Sequence, residues 1–161
     1  MRDNPNLTPE QIDRVRSVAQ LRSVQAGEVL YEPSQPDVPL FIVLEGNVSI
    51  SRTGEDDKIL AVREANQFTG EMSIISGKRS LLKARVTGEG SVLEISRDKV
   101  LSLMAKDTEL GEIFMEAFVA RRLWWEEATQ PGSPRFFSPS RRRWCISSCV
   151  LRSFPILCLN I

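Results

Sequence analysis

Apolar residues near the start of the chain recur at helical spacing. Ile12 and Val15 are three positions apart, and further apolar residues continue the same face. Thr8 can cap a helix here, and Pro9 suits the first helical position. The pattern predicts a short amphipathic helix over residues 9–20 whose apolar face covers one end of a sheet.

From residue 21 the hydrophobic pattern changes to alternation with a period of two. Short apolar or alternating stretches recur at roughly ten-residue spacing, separated by turns rich in Gly, Pro, Asn and Asp. We predict strands on both sides of a turn at Ala26-Gly27 and at 40–44, 48–51, 58–63, 83–86 and 91–95. Such strands predict a mainly β domain, an antiparallel β-roll or cupin-like jelly roll.

The helical period returns after the last predicted strand, which indicates two C-terminal helices. Ser96 can cap the first of them, and the second begins near Asp107. The broad apolar face of the second helix carries Leu110, Ile113, Phe114, Ala117, Phe118 and Leu123. Its polar side carries Glu112, Glu116, Arg121 and Arg122. Because the apolar face is wider than a solvated helix requires, we expect it to pack on the roll, on a twin helix from a second subunit, or on both.

Charge is distributed unevenly along the chain. The 161 residues carry 21 Lys+Arg and 21 Asp+Glu, for a formal net charge of zero. Up to residue 128 there are 16 basic and 21 acidic residues, a net charge of −5, whereas the remainder has 5 arginines and no acid. We therefore divide the chain into a helical segment at 1–20, a domain at 21–127 and a basic tail at 128–161.

The tail differs from the rest of the chain in pattern as well as in charge. Three prolines lie within residues 131–139, and neither helical nor strand periodicity persists. We interpret the tail as a weakly ordered segment, or as a non-native ending such as a frameshift. The arginines at 141–143 leave open a patch for nucleic acid or an anionic membrane.

Residue types that serve most catalytic and metal sites are sparse. Histidine is absent, and Cys145, Cys149 and Cys158 all lie in the tail. We therefore predict no enzyme activity, no catalytic residue, no metal and no resident cofactor. The first residues are polar, and no apolar run reaches the length of a membrane span. A cytoplasmic location without a membrane partner is expected.

The stretch FTGEMSIISGKRSLLKARV, residues 68–86, carries the candidate binding chemistry. Gly70 allows the backbone to approach a ligand closely, and a short helix would begin near Glu71. The Glu71 carboxylate can accept a hydrogen bond from a sugar hydroxyl. Arg79 could form a charge-assisted bond with a phosphate, beside the hydroxyl of Ser80. We predict that these four residues bind a small anionic ligand.

This stretch resembles the phosphate-binding cassette of the cyclic nucleotide-binding domain family, whose members include Crp/Fnr-like sensors, and the resemblance covers residues 21–123. It implies that Glu71 holds the ribose 2′-hydroxyl and Arg79 the cyclic phosphate of a cAMP-type or cGMP-type ligand. It also implies a switch through the last helix, where Phe114, Phe118 and Leu123 close over the base or form a homodimer contact.

The cassette departs from the family pattern in two ways. Arg79 lies eight residues after Glu71, whereas nine or ten is usual in tight binders, so the guanidinium reaches a different place. Leu81 and Leu82 follow Ser80 where the family favours small and hydroxyl-bearing residues. We therefore leave open a site with weakened or lost nucleotide affinity.

The amino-acid sequence of the cassette, together with FMEAFVARRL at 114–123, is most similar to the N-terminal regulatory domain of bacterial thioredoxin-reductase-like FAD-dependent oxidoreductases. No dinucleotide fingerprint follows residue 123, so we expect a sensor domain detached from its effector. Two alternatives stay open: the sensor half of a Crp/Fnr-like transcription regulator, and a dimerisation module with a decayed site. Because no helix-turn-helix pattern follows the last helix, a DNA partner is not expected.

Overall fold

The computed structural model of the protein describes residues 5–52 and 58–129. Four helices and eight strands follow one another along this part of the chain. They are α1 (Pro9–Arg16), β1 (Gln20–Val24), β2 (Val29–Tyr31), β3 (Leu40–Glu45), β4 (Val48–Ser51), β5 (Ile59–Arg63), β6 (Phe68–Thr69), α2 (Glu71–Ser76), β7 (Lys83–Val86), β8 (Gly90–Ile95), α3 (Arg97–Lys106) and α4 (Thr108–Thr129).

The strands form two four-stranded sheets. The first sheet has the order β1-β8-β3-β6 and the second has the order β2-β7-β4-β5. Every strand pair is antiparallel. The predicted antiparallel jelly roll with one N-terminal and two C-terminal helices is therefore confirmed.

Strand β3 lies inside the first sheet and is buried on both faces over Leu40–Val43, which explains its nearly continuous apolar run. Leu40 and Ile42 face the helices, whereas Phe41 and Val43 face the second sheet. We call the cluster between the two sheets the roll interior; it comprises Val24, Leu30, Tyr31, Val38, Phe41, Val43, Val48, Ile50, Ala84, Val86 and Val92. A second cluster joins the first sheet to α1, α2, α3 and α4. Side chains that alternate across one strand thus serve two different cores.

The N-terminal helix starts as predicted and ends earlier. The Thr8 side chain caps the Gln11 amide, and the Gln11 side chain in turn accepts from the Thr8 amide. The helix ends at Arg16 rather than at residue 20, because the chain must turn at 17–19 before Gln20 pairs with Glu94 of β8 in strand β1. Long-range strand pairing therefore overrides the local helical pattern. At the other end of the domain, Ser96 occupies the N-cap of α3 without a side-chain capping bond.

Charged contacts join α1 to the start of α4. Arg14 pairs with Asp107 at 2.8 Å and with Glu109 at 2.5 Å, and Gln11 donates to Glu109 at 2.6 Å. The bond from Arg14 lowers the pKa of Glu109. These contacts orient α4 as it leaves the turn at Asp107.

Some predictions lie outside the described residues. These are the turn between the strands predicted at 48–51 and 58–63, and the predictions for the tail beyond residue 129. Within 5–52 and 58–129, no helix combines the length and apolar character needed to span a membrane. The same residues contain no cluster of three or more acidic, histidine or cysteine side chains placed to hold a metal ion.

Candidate functional site

Gly70 forms the sharp turn between β6 and α2. Its backbone has a φ of 105°, and a Cβ at this position would lie 2.2 Å from the carbonyl oxygen of Pro39. Only glycine tolerates this combination of positive φ and close backbone approach. The turn brings the first residue of α2, Glu71, against the inner side of the domain.

The Glu71 carboxylate is buried and paired with α4. Its side chain is 2% exposed, and Oε1 lies 2.5 Å from Nη1 of Arg121, whose side chain is 8% exposed. Arg121 also donates to the carbonyl oxygen of Phe68 at 3.1 Å, and its guanidinium lies 4.9 Å from the centre of the Phe68 ring. The other carboxylate oxygen, Oε2, has no hydrogen-bond partner in the described part of the chain. The 68–86 stretch is thus joined to the last helix by a buried ion pair.

This position of Arg121 corrects the sequence analysis, which placed it on the polar side of α4. Neighbouring Arg122 does lie on the exposed side, where it pairs with Glu126 at 3.1 Å. Arg121 is buried because it points toward the carboxylate of a residue distant in the chain. Helical periodicity carries no information about such a partner.

A second buried arginine projects between the sheets from the end of β5. Arg63 lies directly opposite Val48, which belongs to the roll interior, so both side chains point to the same face. Its side chain is 4% exposed. Burial and, to a smaller extent, the Arg121 charge lower the pKa of Arg63 to about 10, and Glu71 partly opposes the effect. Within residues 5–52 and 58–129, Nε and Nη1 of Arg63 make no hydrogen bond.

Two hydroxyl groups complete this polar region. The Tyr31 hydroxyl lies 2.6 Å from Oγ1 of Thr69, and both side chains are buried. Burial raises the pKa of Tyr31 to about 12, while the bond to Thr69 acts in the opposite direction. Glu71, Arg63 and Arg121 all act electrostatically on the Tyr31 hydroxyl. We call Tyr31, Arg63, Thr69, Glu71 and Arg121 the buried polar cluster.

Arg79 forms its hydrogen bond with a part of the domain outside the buried polar cluster. Its side chain is exposed, and Nη1 donates to the carbonyl oxygen of Ser34 at 3.0 Å. Ser34 belongs to a segment, Val29 to Gln35, that lines an open depression of about 540 Å³. Glu71 and Arg79, which sequence reasoning placed on one ligand, therefore engage different partners in this conformation.

Ser80 is buried and its polar atoms bond within the protein. Its amide donates to Gln35 at 3.1 Å, and its hydroxyl donates to the Leu82 carbonyl at 2.8 Å and accepts from the Leu82 amide at 3.1 Å. These bonds hold the loop to the 29–35 segment. The two leucines after Ser80 behave differently from each other, because Leu81 is 63% exposed whereas Leu82 packs against the roll interior.

The three predicted residues of the last helix lie in three environments. Phe114 is fully buried and meets the Phe68 ring edge-on with centroids 5.0 Å apart, so it is a core residue in this conformation. Phe118 is half-buried, and Leu123 is 58% exposed. Leu123 continues a row of exposed apolar residues with Met115 and Val119, at four-residue spacing. We call Met115, Val119 and Leu123 the α4 stripe.

Sequence reasoning missed Arg63, Thr69 and Arg121, which belong to the buried polar cluster. The alternation in β5 offered one signal, since Arg63 shares a strand face with Ala61, which packs on the roll interior. That signal is ambiguous, because Leu60 and Val62 form an equally apolar set on the opposite face. Tyr31, Phe41 and Phe68 are buried and belong to the two cores.

Comparison with known proteins gives a family match. The model of the family described as "Cyclic nucleotide-binding domain" matches residues 21–107, more than half of the chain. The matched region includes both sheets, the 68–86 stretch and α3.

Two curated relatives are each 27% identical to the chain over 119 residues, which is 73% of its length. One is named "Putative potassium channel protein", from Rhodopseudomonas palustris, and the chain covers 26% of it. The other is the Cyclic AMP receptor protein of Thermus thermophilus, of which the chain covers 55%. The chain therefore spans about a quarter of one relative and about half of the other.

A solved structure agrees with the sequence comparison. The crystal structure of the Thermus thermophilus catabolite activator protein superposes with a TM-score of 0.63 at 25% identity. The alignment covers 76% of this chain and 58% of that one. The similarity thus extends over most of this chain and leaves a large part of the other protein unmatched.

Proposed function

Because the chain belongs to the cyclic nucleotide-binding domain family, we propose that it is a regulatory sensor domain for a cyclic nucleotide of the cAMP or cGMP type. In this proposal Gly70 and Glu71 hold the ribose, and Arg79 and Ser80 lie at the phosphate. The domain binds and signals and carries out no catalysis. The observation that carries the proposal is the buried ion pair between Glu71 and Arg121.

The ion pair supports the proposal because it offers both a ligand contact and a route for the signal. Oε2 of Glu71 is a buried acceptor without a hydrogen-bond partner in the described residues, suited to a ribose hydroxyl. Oε1 of the same carboxylate contacts Arg121 of α4. A ligand that forms a hydrogen bond with Glu71 therefore changes the strength of the Glu71–Arg121 ion pair, which positions α4. Such a ligand has different affinities for two positions of the helix, as coupling requires.

Arg79 can reach a ligand at little energetic cost. Its exposed side chain makes one hydrogen bond, to the neutral carbonyl oxygen of Ser34. The Ser34 acceptor is uncharged, whereas a phosphate oxygen carries negative charge and can form the stronger bond with a guanidinium. Exchange of the Ser34 carbonyl for a phosphate oxygen is therefore favourable.

Titration calorimetry with cAMP and with cGMP tests this function. We expect one of the two nucleotides to bind and Arg79→Ala to weaken its affinity by about tenfold to a hundredfold, because a charge-assisted contact is lost. Lys78→Ala is the matched control, since Lys78 is the exposed neighbour in the same loop, and it should bind like the wild type.

Absence of binding for both nucleotides would overturn the sensor proposal. The alternative would then be a dimerisation module with a decayed site. Two observations favour that alternative: the exposed position of Arg79 and the packing of Leu82 against the roll interior.

We further propose a homodimer through α4. The α4 stripe presents three apolar side chains that are 43%, 47% and 58% exposed along one side of the helix. An apolar row at this spacing is the geometry that pairs with a second helix. Because the stripe begins at the residue after Phe114 and continues past Arg121, a change at Glu71 would alter the same helix that forms the contact.

The effector that this domain would control is a separate part of the proposal. The similarity of the cassette's amino-acid sequence to that of thioredoxin-reductase-like flavoproteins supports an oxidoreductase effector. The partial coverage of the Cyclic AMP receptor protein supports the alternative, the sensor half of a Crp/Fnr-like transcription regulator. The genomic reading frame that follows codon 123 distinguishes the two, since it encodes a dinucleotide-binding fingerprint in the first case and a helix-turn-helix in the second.

A further inference from the structure

Arg63 is a buried cation without the hydrogen bonds that buried cations normally have. It is 4% exposed, and its Nε and Nη1 atoms find no acceptor within residues 5–52 and 58–129. Buried charged groups are costly unless they are paired and hydrogen-bonded. Arg121 shows the usual solution in the same region, with a carboxylate, a carbonyl oxygen and an aromatic ring around it. Arg121 therefore has a charged and a polar partner, whereas Nε and Nη1 of Arg63 have no acceptor among these residues.

Among the described residues, the charged groups that act on Arg63 leave an excess of one positive charge. Two arginines, Arg63 and Arg121, act on a single carboxylate, that of Glu71, and the nearest phenol, Tyr31, stays neutral below about pH 12. Glu71 is already paired with Arg121. Arg63 thus has the electrostatic requirement of an anion site, namely a positive charge in a poorly solvated place with N–H groups not otherwise used.

Arg63 also has a location suited to a ligand. It projects toward the roll interior from β5, an outer strand of the second sheet, and so lies at one side of the space between the sheets. Tyr31 lies on the wall of the depression formed by residues 29–35 and interacts electrostatically with Arg63. The hydroxyls of Tyr31 and Thr69 supply further polar atoms there. These groups come from different strands and converge on one polar region.

We propose that Arg63 is a ligand-binding residue whose unused N–H groups donate to a phosphate oxygen of a small phosphorylated molecule held between the two sheets. This inference deepens the proposed function and rests on it in one respect, that the roll is a ligand-binding domain. It places the main cationic contact on β5 inside the roll, while the exposed cassette arginine, Arg79, makes an auxiliary contact. A charge at a buried position is screened less by solvent and salt than one on a loop, so Arg63 contributes more affinity than Arg79.

The test uses the full chain with three probes: cAMP, cGMP and inorganic phosphate. Thermal denaturation and titration calorimetry are compared for Arg63→Met, Arg63→Lys and Arg79→Ala. Arg85→Met is the matched control, because Arg85 is an arginine on strand β7 of the same sheet with an exposed side chain. Methionine retains much of the length of arginine and removes its charge and its donors.

We expect Arg63→Met to reduce the affinity of the bound probe at least tenfold and to remove the rise in melting temperature that the probe causes. Without a probe, its melting temperature should be equal to or above that of the wild type, because removal of an unpaired buried cation relieves a desolvation penalty. Arg63→Lys should retain part of the affinity, since it keeps the charge. Arg85→Met should resemble the wild type in both measurements.

The outcomes separate this inference from the proposed function. If cAMP or cGMP binds and Arg79→Ala abolishes binding while Arg63→Met does not, the inference is overturned and the sensor function stands. If only inorganic phosphate binds and Arg63→Met abolishes it, the inference stands and the cyclic-nucleotide proposal is overturned. If no probe binds the wild-type chain, both are overturned.

Discussion

At the scale of single residues, the buried polar cluster concentrates the unusual chemistry of the domain. Tyr31, Arg63 and Glu71 are ionisable side chains, and each is more than nine-tenths buried. Such groups are rare in the interior of a small domain and concentrate at functional sites. Two of the three have pKa values displaced mainly by burial, upward for Tyr31 and downward for Arg63. The pKa values of the cluster can therefore be tested by titration.

Tyr31 can be titrated by itself, because it is the only tyrosine in the chain. We expect its pKa to be about 12 in the folded protein. In denaturant it should return to about 10, the ordinary value. Between these two pH values the folded protein retains a proton that the unfolded chain has lost. The stabilising contribution of the neutral phenol is thus complete below pH 10 and is lost as the pH rises toward 12.

The near-ultraviolet absorbance of tyrosinate measures this titration directly. Tyr31→Phe serves as the control and should remove the signal. The lowered pKa of Arg63 acts on stability in the opposite direction over the same pH range, so the absorbance is more informative than an unfolding curve. A native transition near pH 10 would contradict the burial of the hydroxyl against Thr69.

At the scale of secondary-structure elements, α4 is the element that joins the parts of the domain. Its first turn bonds to α1 through Glu109, its middle packs on β6 through Phe114, and Arg121 reaches the start of α2. Near its end the Trp125 ring lies 5.2 Å from the guanidinium carbon of Arg52, which follows β4. Displacement of α4 would therefore disturb the 68–86 stretch and one edge of the roll together.

We predict that Arg121→Met lowers the free energy of unfolding by about 3–5 kcal/mol, because it leaves the Glu71 carboxylate buried without its cation. Arg122→Met is the matched control on the next residue. Its partner is Glu126, one turn away on the exposed side of the helix. An exposed pair of this type contributes about 0.3–0.5 kcal/mol.

Urea denaturation of both variants measures the difference. The double variant Glu71→Gln with Arg121→Met should recover part of the lost stability, since it removes the orphaned charge. Equal losses for Arg121→Met and Arg122→Met would show that the buried ion pair does not hold α4 in place.

At the scale of the whole molecule, the apolar residues of the two cores and of the α4 stripe differ in their exposure. Both cores are built from residues of the same chain, whereas the stripe has exposed side chains. A second copy of the chain is the occupant that we proposed for it. The α4 helix has 22 residues and so extends over roughly 33 Å, long enough for several turns of helix-to-helix packing.

Val119→Glu tests the dimer, because Val119 is the central residue of the stripe and is 47% exposed. Sedimentation velocity should show a dimer for the wild type and a monomer for the variant, since a carboxylate would be buried at the contact. Val62→Glu is the control: it makes the same change at an apolar residue that is 45% exposed on β5, and it should leave the dimer intact. A monomeric wild type, or a dimeric Val119→Glu variant, would exclude the α4 contact.

The amino-acid sequence by itself determined the local elements of this protein. Strands β4 and β7 have the predicted bounds, the Thr8 cap forms, and Gly70 has the positive φ that its turn requires. These features depend on residues that are close in the chain, because caps, turns and alternation are set by short-range sterics and hydrogen bonds. The family resemblance rests on the same short-range signals.

Only the tertiary structure decided which charged residues are buried and what they contact. Arg121 lies 53 residues after Phe68, whose carbonyl oxygen it contacts, and Arg63 turns inward because β5 pairs with β4 in one register. A register shifted by one residue would place Arg63 in solvent and Val62 inside. The electrostatics of the buried polar cluster therefore depend on strand pairing and helix docking, which no local pattern specifies.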